Sequence, residues 1–258
     1  MTGPGRDEMR VSARSDVGLV REVNQDAFCH KLLGEAGDVR LCAVADGIGG
    51  YRAGEVASRL ALEALAEELE KAVRAGGPLD RALADAMNVA NQKIVRHGLS
   101  DPECLGMGTT VTSALISGDR AYIGHVGDSR AYLFRGGRVV QLTRDHSLVA
   151  ELVRNGNLTE EQAERHPQRN VLTQAFGSDL RVKADVTSVP LEDGDLLLLC
   201  TDGLTRSVSV AEIEEVLSGA EDLDEACDRL VAMANERGGY DNVTVLIAGP
   251  VRVRGGPA

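Results

Sequence analysis

Thr109-Thr-Val-Thr-Ser-Ala-Leu-Ile-Ser-Gly-Asp-Arg-Ala-Tyr-Ile-Gly-His-Val-Gly-Asp-Ser-Arg-Ala-Tyr-Leu-Phe134 alternates apolar residues with small and polar ones and is broken by Ser-Gly-Asp and Gly-Asp-Ser turns. Period-two patterning with such breaks predicts short strands over 109–116, 120–126 and 130–134, and 138–142 adds another after Gly136-Gly137. The block reads as an antiparallel meander. Just before it the period is helical. Val56, Leu60, Leu62, Leu65, Leu69 and Val73 mark a helix over 55–73 that stops at Ala75-Gly-Gly-Pro78. Leu83, Met87, Ala90 and Ile94 mark a second helix over 79–96, with Gly98 closing it. Earlier still, strands are expected over 11–18, 27–33 and 39–45. After a polar, weakly helical surface excursion over 146–169 come strands over 182–188 and 195–201, helices over 210–217 and 223–236, and a strand over 243–247. Strands and helices fall in blocks rather than in strict alternation. That pattern predicts an α+β fold of antiparallel sheets covered by helix pairs, not a doubly wound parallel sheet. The expected organisation is an N-terminal extension over 1–10, one domain over 11–248 and a disordered tail over 249–258.

A chain of 258 residues that is 43% hydrophobic can bury a substantial core without staples. Acids outnumber bases 40 to 28, giving a formal net charge of -12, which argues against nucleic acid as a partner. Apolar runs such as Leu196-Leu-Leu-Leu-Cys200 fall far short of the roughly 20 residues needed to span a bilayer, so no membrane segment is expected. The start, Met1-Thr-Gly-Pro-Gly-Arg6, lacks a secretory pattern, and a cytoplasmic location follows as the expectation. Cys29, Cys42, Cys104, Cys200 and Cys227 are odd in number and lack C-x-x-C spacing, as expected of reduced core thiols.

The informative residues are aspartates at strand ends. Asp46 closes an apolar strand, Asp128 follows another, Asp202 closes a third, and Asp241 opens the last. If the strand after Asp241 runs antiparallel to the others, three endings and one beginning share a rim. Four carboxylates gathered there would repel unless cations neutralise them. Hard oxygen ligands without a His or Cys set favour magnesium or manganese over zinc, and a shared carboxylate can bridge two ions. Each Asp-Gly pair alone is an ordinary turn signal; two of them at the ends of the most apolar strands, with Asp241 at a third, are harder to dismiss.

Other readings of the loops fail. Gly47-Ile-Gly-Gly-Tyr-Arg-Ala-Gly54 lacks the Gly-Lys-Ser/Thr ending of a phosphate loop and the dinucleotide spacing. Its glycines let backbone approach metal, with the Gly47 carbonyl free to ligate. Gly127-Asp-Ser-Arg-Ala131 lacks the final Gly of a nucleophile elbow, so Ser129 reads as a turn residue. His125 and His146 read as a core residue and a turn tie rather than catalytic acids. If the loop around Arg21 borders the carboxylate rim, that guanidinium can grip an anionic oxyacid.

The chain resembles the bacterial metal-dependent protein phosphatases of type 2C. The resemblance rests on ordered blocks across residues 11–247. The first are Ser15-Asp-Val-Gly-Leu-Val-Arg-Glu-Val-Asn-Gln-Asp26, Val44-Ala-Asp-Gly-Ile-Gly-Gly50 with Ala53-Gly-Glu-Val-Ala-Ser58, and Gly106-Met-Gly-Thr-Thr-Val-Thr112. Then come His125-Val-Gly-Asp-Ser-Arg-Ala-Tyr132, Leu142-Thr-Arg-Asp-His-Ser147, Asn170-Val-Leu-Thr-Gln-Ala-Phe-Gly177, Cys200-Thr-Asp-Gly-Leu204 and Asp241-Asn-Val-Thr244. The resemblance implies a β-sandwich of two antiparallel sheets flanked by pairs of α-helices. It implies that Asp46 bridges two Mn2+ or Mg2+ ions, the Gly47 carbonyl completes the second, and Asp202 and Asp241 hold the first. Asp128 with Asp202 would hold a third, looser ion, Arg21 would bind the substrate phosphate, and Asp26 would orient water from behind the ligands. The implied chemistry is direct hydrolysis of phosphoserine and phosphothreonine by a hydroxide bridging two metals, without a phosphoenzyme. Implied partners are phosphorylated proteins and the Ser/Thr kinases the enzyme opposes, and the chain would act as a monomer.

One departure concerns the leaving group. Where some members carry a His, this chain has Ile48 and Tyr51, so the expected proton source is metal-bound water near Asp128. The residues 147–169 correspond to the family's variable flap. Two competing readings are a catalytically idle phosphoprotein-binding module, whose signature would be ligand loss, and a hydrolase of small phosphate compounds. Retention of all four rim aspartates and Arg21 favours the enzyme.

Overall fold

The computed structural model describes residues 9–35, 37–49 and 53–250. Its core is a pair of antiparallel sheets. One sheet has the order β1 (Arg10–Asp16), β11 (Val243–Gly249), β10 (Leu196–Cys200), β7 (Arg130–Arg135) and β8 (Arg138–Gln141). The other runs β2 (Asp26–Leu33), β3 (Val39–Ile48), β5 (Val111–Ser117), β6 (Arg120–Val126) and β9 (Asp185–Pro190), with the short β4 (Gly108–Thr109) pairing the end of β3.

Near-continuous apolar strands follow from burial on both faces. Along β3, Cys42 and Val44 point between the sheets toward Leu197, Leu199 and Leu246. The alternate residues Leu41, Ala43 and Ala45 face outward and are covered by α1 (Ala53–Ala75) and α2 (Leu79–Ser100). The other sheet repeats the pattern: Leu198, Cys200, Val245 and Ile247 pack under α6 (Val210–Gly219) and α7 (Leu223–Glu236). This is the expected sandwich flanked by helix pairs, an α/β/β/α stack. Capping boxes at Thr159 and Ser209 start α4 (Glu160–Glu164) and α6, while Ser147 caps α3 (Leu148–Arg154). The excursion over 146–169 is therefore two short helices.

Several local expectations are corrected. The predicted meander is split, because β6 pairs with β9 while β7 pairs with β10 in the opposite sheet. The crossing occurs at Gly127-Asp-Ser129, where Gly127 has φ +113 and a Cβ would lie 2.5 Å from the Thr110 side chain. The strand before Asp46 does not stop there; Gly47 and Ile48 continue it by pairing with Thr109 and Gly108. Gly98 does not close α2, which continues to Ser100 with Gly98 buried in it. Cys29 is only partly buried, unlike the other four thiols, and all five are free. Arg10 pairs with Gly249, so strand pairing reaches both of those positions. Residues 1–8 and 251–258, the rest of the expected extension and tail, lie outside the described residues.

Topology then brings the aspartates together. β6 runs parallel to β3 through two antiparallel pairings with β5, so both finish at one end. β11 is antiparallel to β10, and its start lies beside the end of β10.

Candidate metal centre

Asp46 and Asp26 face each other in register across β3 and β2. Asp128 occupies the crossing between the sheets, Asp202 is the first residue of α5 (Asp202–Thr205), and Asp241 precedes β11. Five carboxylates converge on one rim: burial raises the Asp46 pKa well above the usual carboxylate range, and the charges of Asp202, Asp26, Asp128 and Asp241 raise it further. The short turn of α5 was not expected from the Asp-Gly pair at 202–203; it turns Asp202 into the rim.

Burial and the neighbouring charges also raise the others. Asp26 is pushed up to about 7, chiefly by burial, against the opposing hydrogen bonds from Thr244 and Thr201. Asp128 is likewise pushed up to about 7 by burial and then by Asp202, while Arg206 pulls it back. Asp202 is raised by burial, with Arg206 opposing and Asp241 reinforcing.

The shell behind these residues is specific. Asp26 Oδ2 accepts from Thr201 Oγ1 at 2.8 Å and Thr244 Oγ1 at 2.7 Å, linking the two sheets through one carboxylate. Thr244 also meets Ser15 Oγ at 2.7 Å, and Asn24 Nδ2 donates to Ser15 Oγ. The Asp46 N–H donates to Thr110 Oγ1 at 2.9 Å, and Thr110 Oγ1 meets Ser129 Oγ at 2.7 Å, so the aspartates at 46 and 128 hang from one hydroxyl pair. His146 Nδ1 accepts from the Gly127 N–H at 3.2 Å, and the His146 N–H donates to Gly127 O. Thr112 Oγ1 contacts His125 Nδ1 and donates to Ser129 O. Both histidines are thus committed to holding the crossing loop. The flap's base is anchored there too, through Thr173 N–H donating to His146 O.

The loop carrying Arg21 is tied to the rim by Asn242. Its Nδ2 donates to Val17 O and Val23 O, and its Oδ1 accepts from the Gln25 N–H. Arg21 therefore lies at the rim, with Nε 2.9 Å from Asp241 Oδ1 and Nη2 3.0 Å from Oδ2. Gly47 packs where a Cβ would lie 2.1 Å from Gly54 O, so only glycine lets the strand end and α1 approach this closely. Sequence reasoning left Thr110, Thr201, Asn242 and Thr244 unassigned and read Ser129 only as a turn residue; all five stand inside the quoted motif blocks. Arg206 lies outside them, and nothing in the sequence marked it.

Divalent ions fit this donor set. The converging groups are carboxylates and backbone without a His or Cys ligand, the chemistry of magnesium or manganese. Asp26 Oδ1 and Asp202 Oδ1 are buried without a hydrogen-bond partner, as expected of oxygens awaiting a cation or its water.

The model of the family described as protein phosphatase 2C matches residues 20–245. The chain belongs to the protein phosphatase 2C family. Among its relatives is the serine/threonine phosphatase stp of Listeria innocua, 39% identical over 244 residues, covering 93% of this chain and 95% of that protein. The Mycobacterium tuberculosis serine/threonine phosphatase PstP/Ppp superposes with a TM-score of 0.84 at 40% identity, covering 93% of this chain and 97% of that one. A PstP catalytic domain crystallised with 2 manganese ions matches with a TM-score of 0.82 at 39% identity, covering 93% and 97%. As a protein phosphatase 2C, the chain fits the expected metal-dependent Ser/Thr phosphatase in fold, family and reaction class. Among the described residues no helix is long and apolar enough to cross a membrane.

Proposed function

We propose that this chain hydrolyses phosphoserine and phosphothreonine in proteins at the carboxylate rim. The observation that carries the reading is the excess of buried carboxylate over local cation, with two carboxylate oxygens left unpaired. Asp46, the Gly47 carbonyl, Asp202 and Asp241 would hold two Mn2+ or Mg2+ ions, and Asp128 with Asp202 a third. When bound, such ions activate water for attack and stabilise negative charge on a phosphoryl group.

The chain's own residues do the rest. Arg21 is exposed at the rim on a loop fixed by Asn242, and its planar fork suits two phosphoryl oxygens once Asp241 turns to metal. Asp26 is held at Oδ2 by two threonines, leaving Oδ1 as the free acceptor that orients water. Thr110 and Ser129 keep the aspartates at 46 and 128 in register. His125 and His146 donate no proton to a leaving group, since both rings are buried and engaged on the crossing loop and its neighbours. Ile48 supplies none either, and Tyr51 lies outside the described residues. With net charge -12, the acidic rim repels phosphoprotein until metal neutralises it.

The reading extends to substrates that are products of Ser/Thr kinases, to action as a monomer and to a cytoplasmic location. Release of phosphate from a phosphothreonine peptide tests it, with Mn2+ and with chelator, for the native chain and for Asp202→Ala. Turnover that needs Mn2+ and is lost on substitution supports the reading. Metal binding without turnover by the native chain overturns it in favour of a phosphoprotein-binding module.

A further inference from the structure

Arg206 lies among the acids assigned above to metal. It caps the C-terminus of α5 in helical geometry, and its N–H donates to Asp202 O at 2.9 Å. This places the side chain back over the first residue of the turn. Nη2 pairs with Asp202 Oδ2 and lies 4.0 Å from Asp128 Oδ2, while Nη1 lies 3.5 Å from Asp241 Oδ2. With 34% of its side chain exposed, the guanidinium spans the mouth of the rim rather than being sealed beneath it.

We infer that Arg206 is a resident cation of the seat formed by Asp128 and Asp202, where it competes with the third divalent ion. The inference rests on the metal-centre reading above. Each carboxylate oxygen that holds the guanidinium is lost to an ion, and two cations crowded at one seat repel. Arg206 also meets Asp202 and Asp241 of the two-ion core, but Asp46, which would be shared between the core's ions, has no ion pair with it, so the core keeps one carboxylate that the guanidinium does not engage. The third seat is the vulnerable one, since both of its carboxylates face the guanidinium. Arg206 thereby sets how many ions the chain carries at a given metal concentration: two held firmly, and a third only when metal is abundant.

The test is calorimetric titration of the metal-stripped chain with Mn2+ alone, for the native protein, Arg206→Gln, and Arg206→Gln combined with Asp128→Ala. Thermal melts establish that each variant is folded. The expected result is that the weakest Mn2+ site tightens about tenfold or more in Arg206→Gln and that the gain vanishes when Asp128 is also removed. An unchanged weakest site, or a gain that survives loss of Asp128, overturns the inference while leaving the two-ion centre standing. Absence of any Mn2+ binding by the native chain overturns the metal centre itself, and the inference with it.

Discussion

Strand β10 has a buried aspartate just beyond each end, and the two are treated in opposite ways. Asp195, just before Leu196, is 1% exposed, yet every part of its charge is answered. Arg135 Nε and Nη2 grip its two oxygens at 2.9 and 2.6 Å, and the Glu192 N–H donates to it at 2.8 Å. Asp202, just past Cys200, is also buried, but four further carboxylates crowd the same rim, Arg206 is shared among three of them, and one Asp202 oxygen has no partner. Burial of a carboxylate is common to both ends. Imbalance of charge belongs to one, and that imbalance is the observation behind the proposed divalent-metal site.

Substitution at the two ends should separate activity from stability. Asp202→Ala is expected to lower Mn2+-dependent phosphate release from a phosphopeptide by at least roughly a hundredfold. In the metal-free state it should not lower the melting temperature, because it relieves repulsion. Asp195→Asn should do the reverse. It leaves Arg135 half-paired and costs about 1–3 kcal/mol in chemical denaturation, reduced by the partial exposure of Arg135, with turnover per folded molecule retained. A stability loss at Asp202 matching that at Asp195 would break the comparison.

The pH response sharpens it. Asp26 and Asp128 in the folded chain are pushed up to about 7, above an ordinary carboxylate near 3.8. Between those values the folded chain holds protons that the unfolded chain has released, so unfolding becomes easier as pH rises. The melting temperature of the chelated protein should therefore fall from pH 5 to pH 8 and recover on addition of Mn2+. A melting temperature that rises over this range without metal would contradict the electrostatics of the rim.

The smallest effect concerns the shell. Thr110→Val removes the hydroxyl between the Asp46 N–H and Ser129 and should weaken Mn2+ binding about tenfold in titration, with the fold intact. Unchanged affinity would show that strand pairing alone positions the ligands.

Which of these features the sequence shows depends on range. The α/β/β/α stack follows from local period: Leu41, Ala43 and Ala45 alternate with Cys42 and Val44 because both faces are covered. The rim aspartates were legible because each abuts a strand, and antiparallel geometry carries strand ends to a common edge. The crossing at Gly127 was not. A turn between strands in one sheet and a passage between sheets share the same Gly-Asp-Ser signal, and only the later pairings of β9 and β10 decide between them. Thr201 and Thr244 meet Asp26 from the opposite sheet, a contact without local signature. Arg206 stands on a single turn of helix whose short sequence carries no period.

The central claim is that the unbalanced rim is a divalent-metal centre, and anomalous scattering from crystals grown with Mn2+ tests it most directly. The account predicts two strong peaks lying between Asp46, Asp202 and Asp241. A rim without anomalous density in a crystal that binds manganese elsewhere would contradict it.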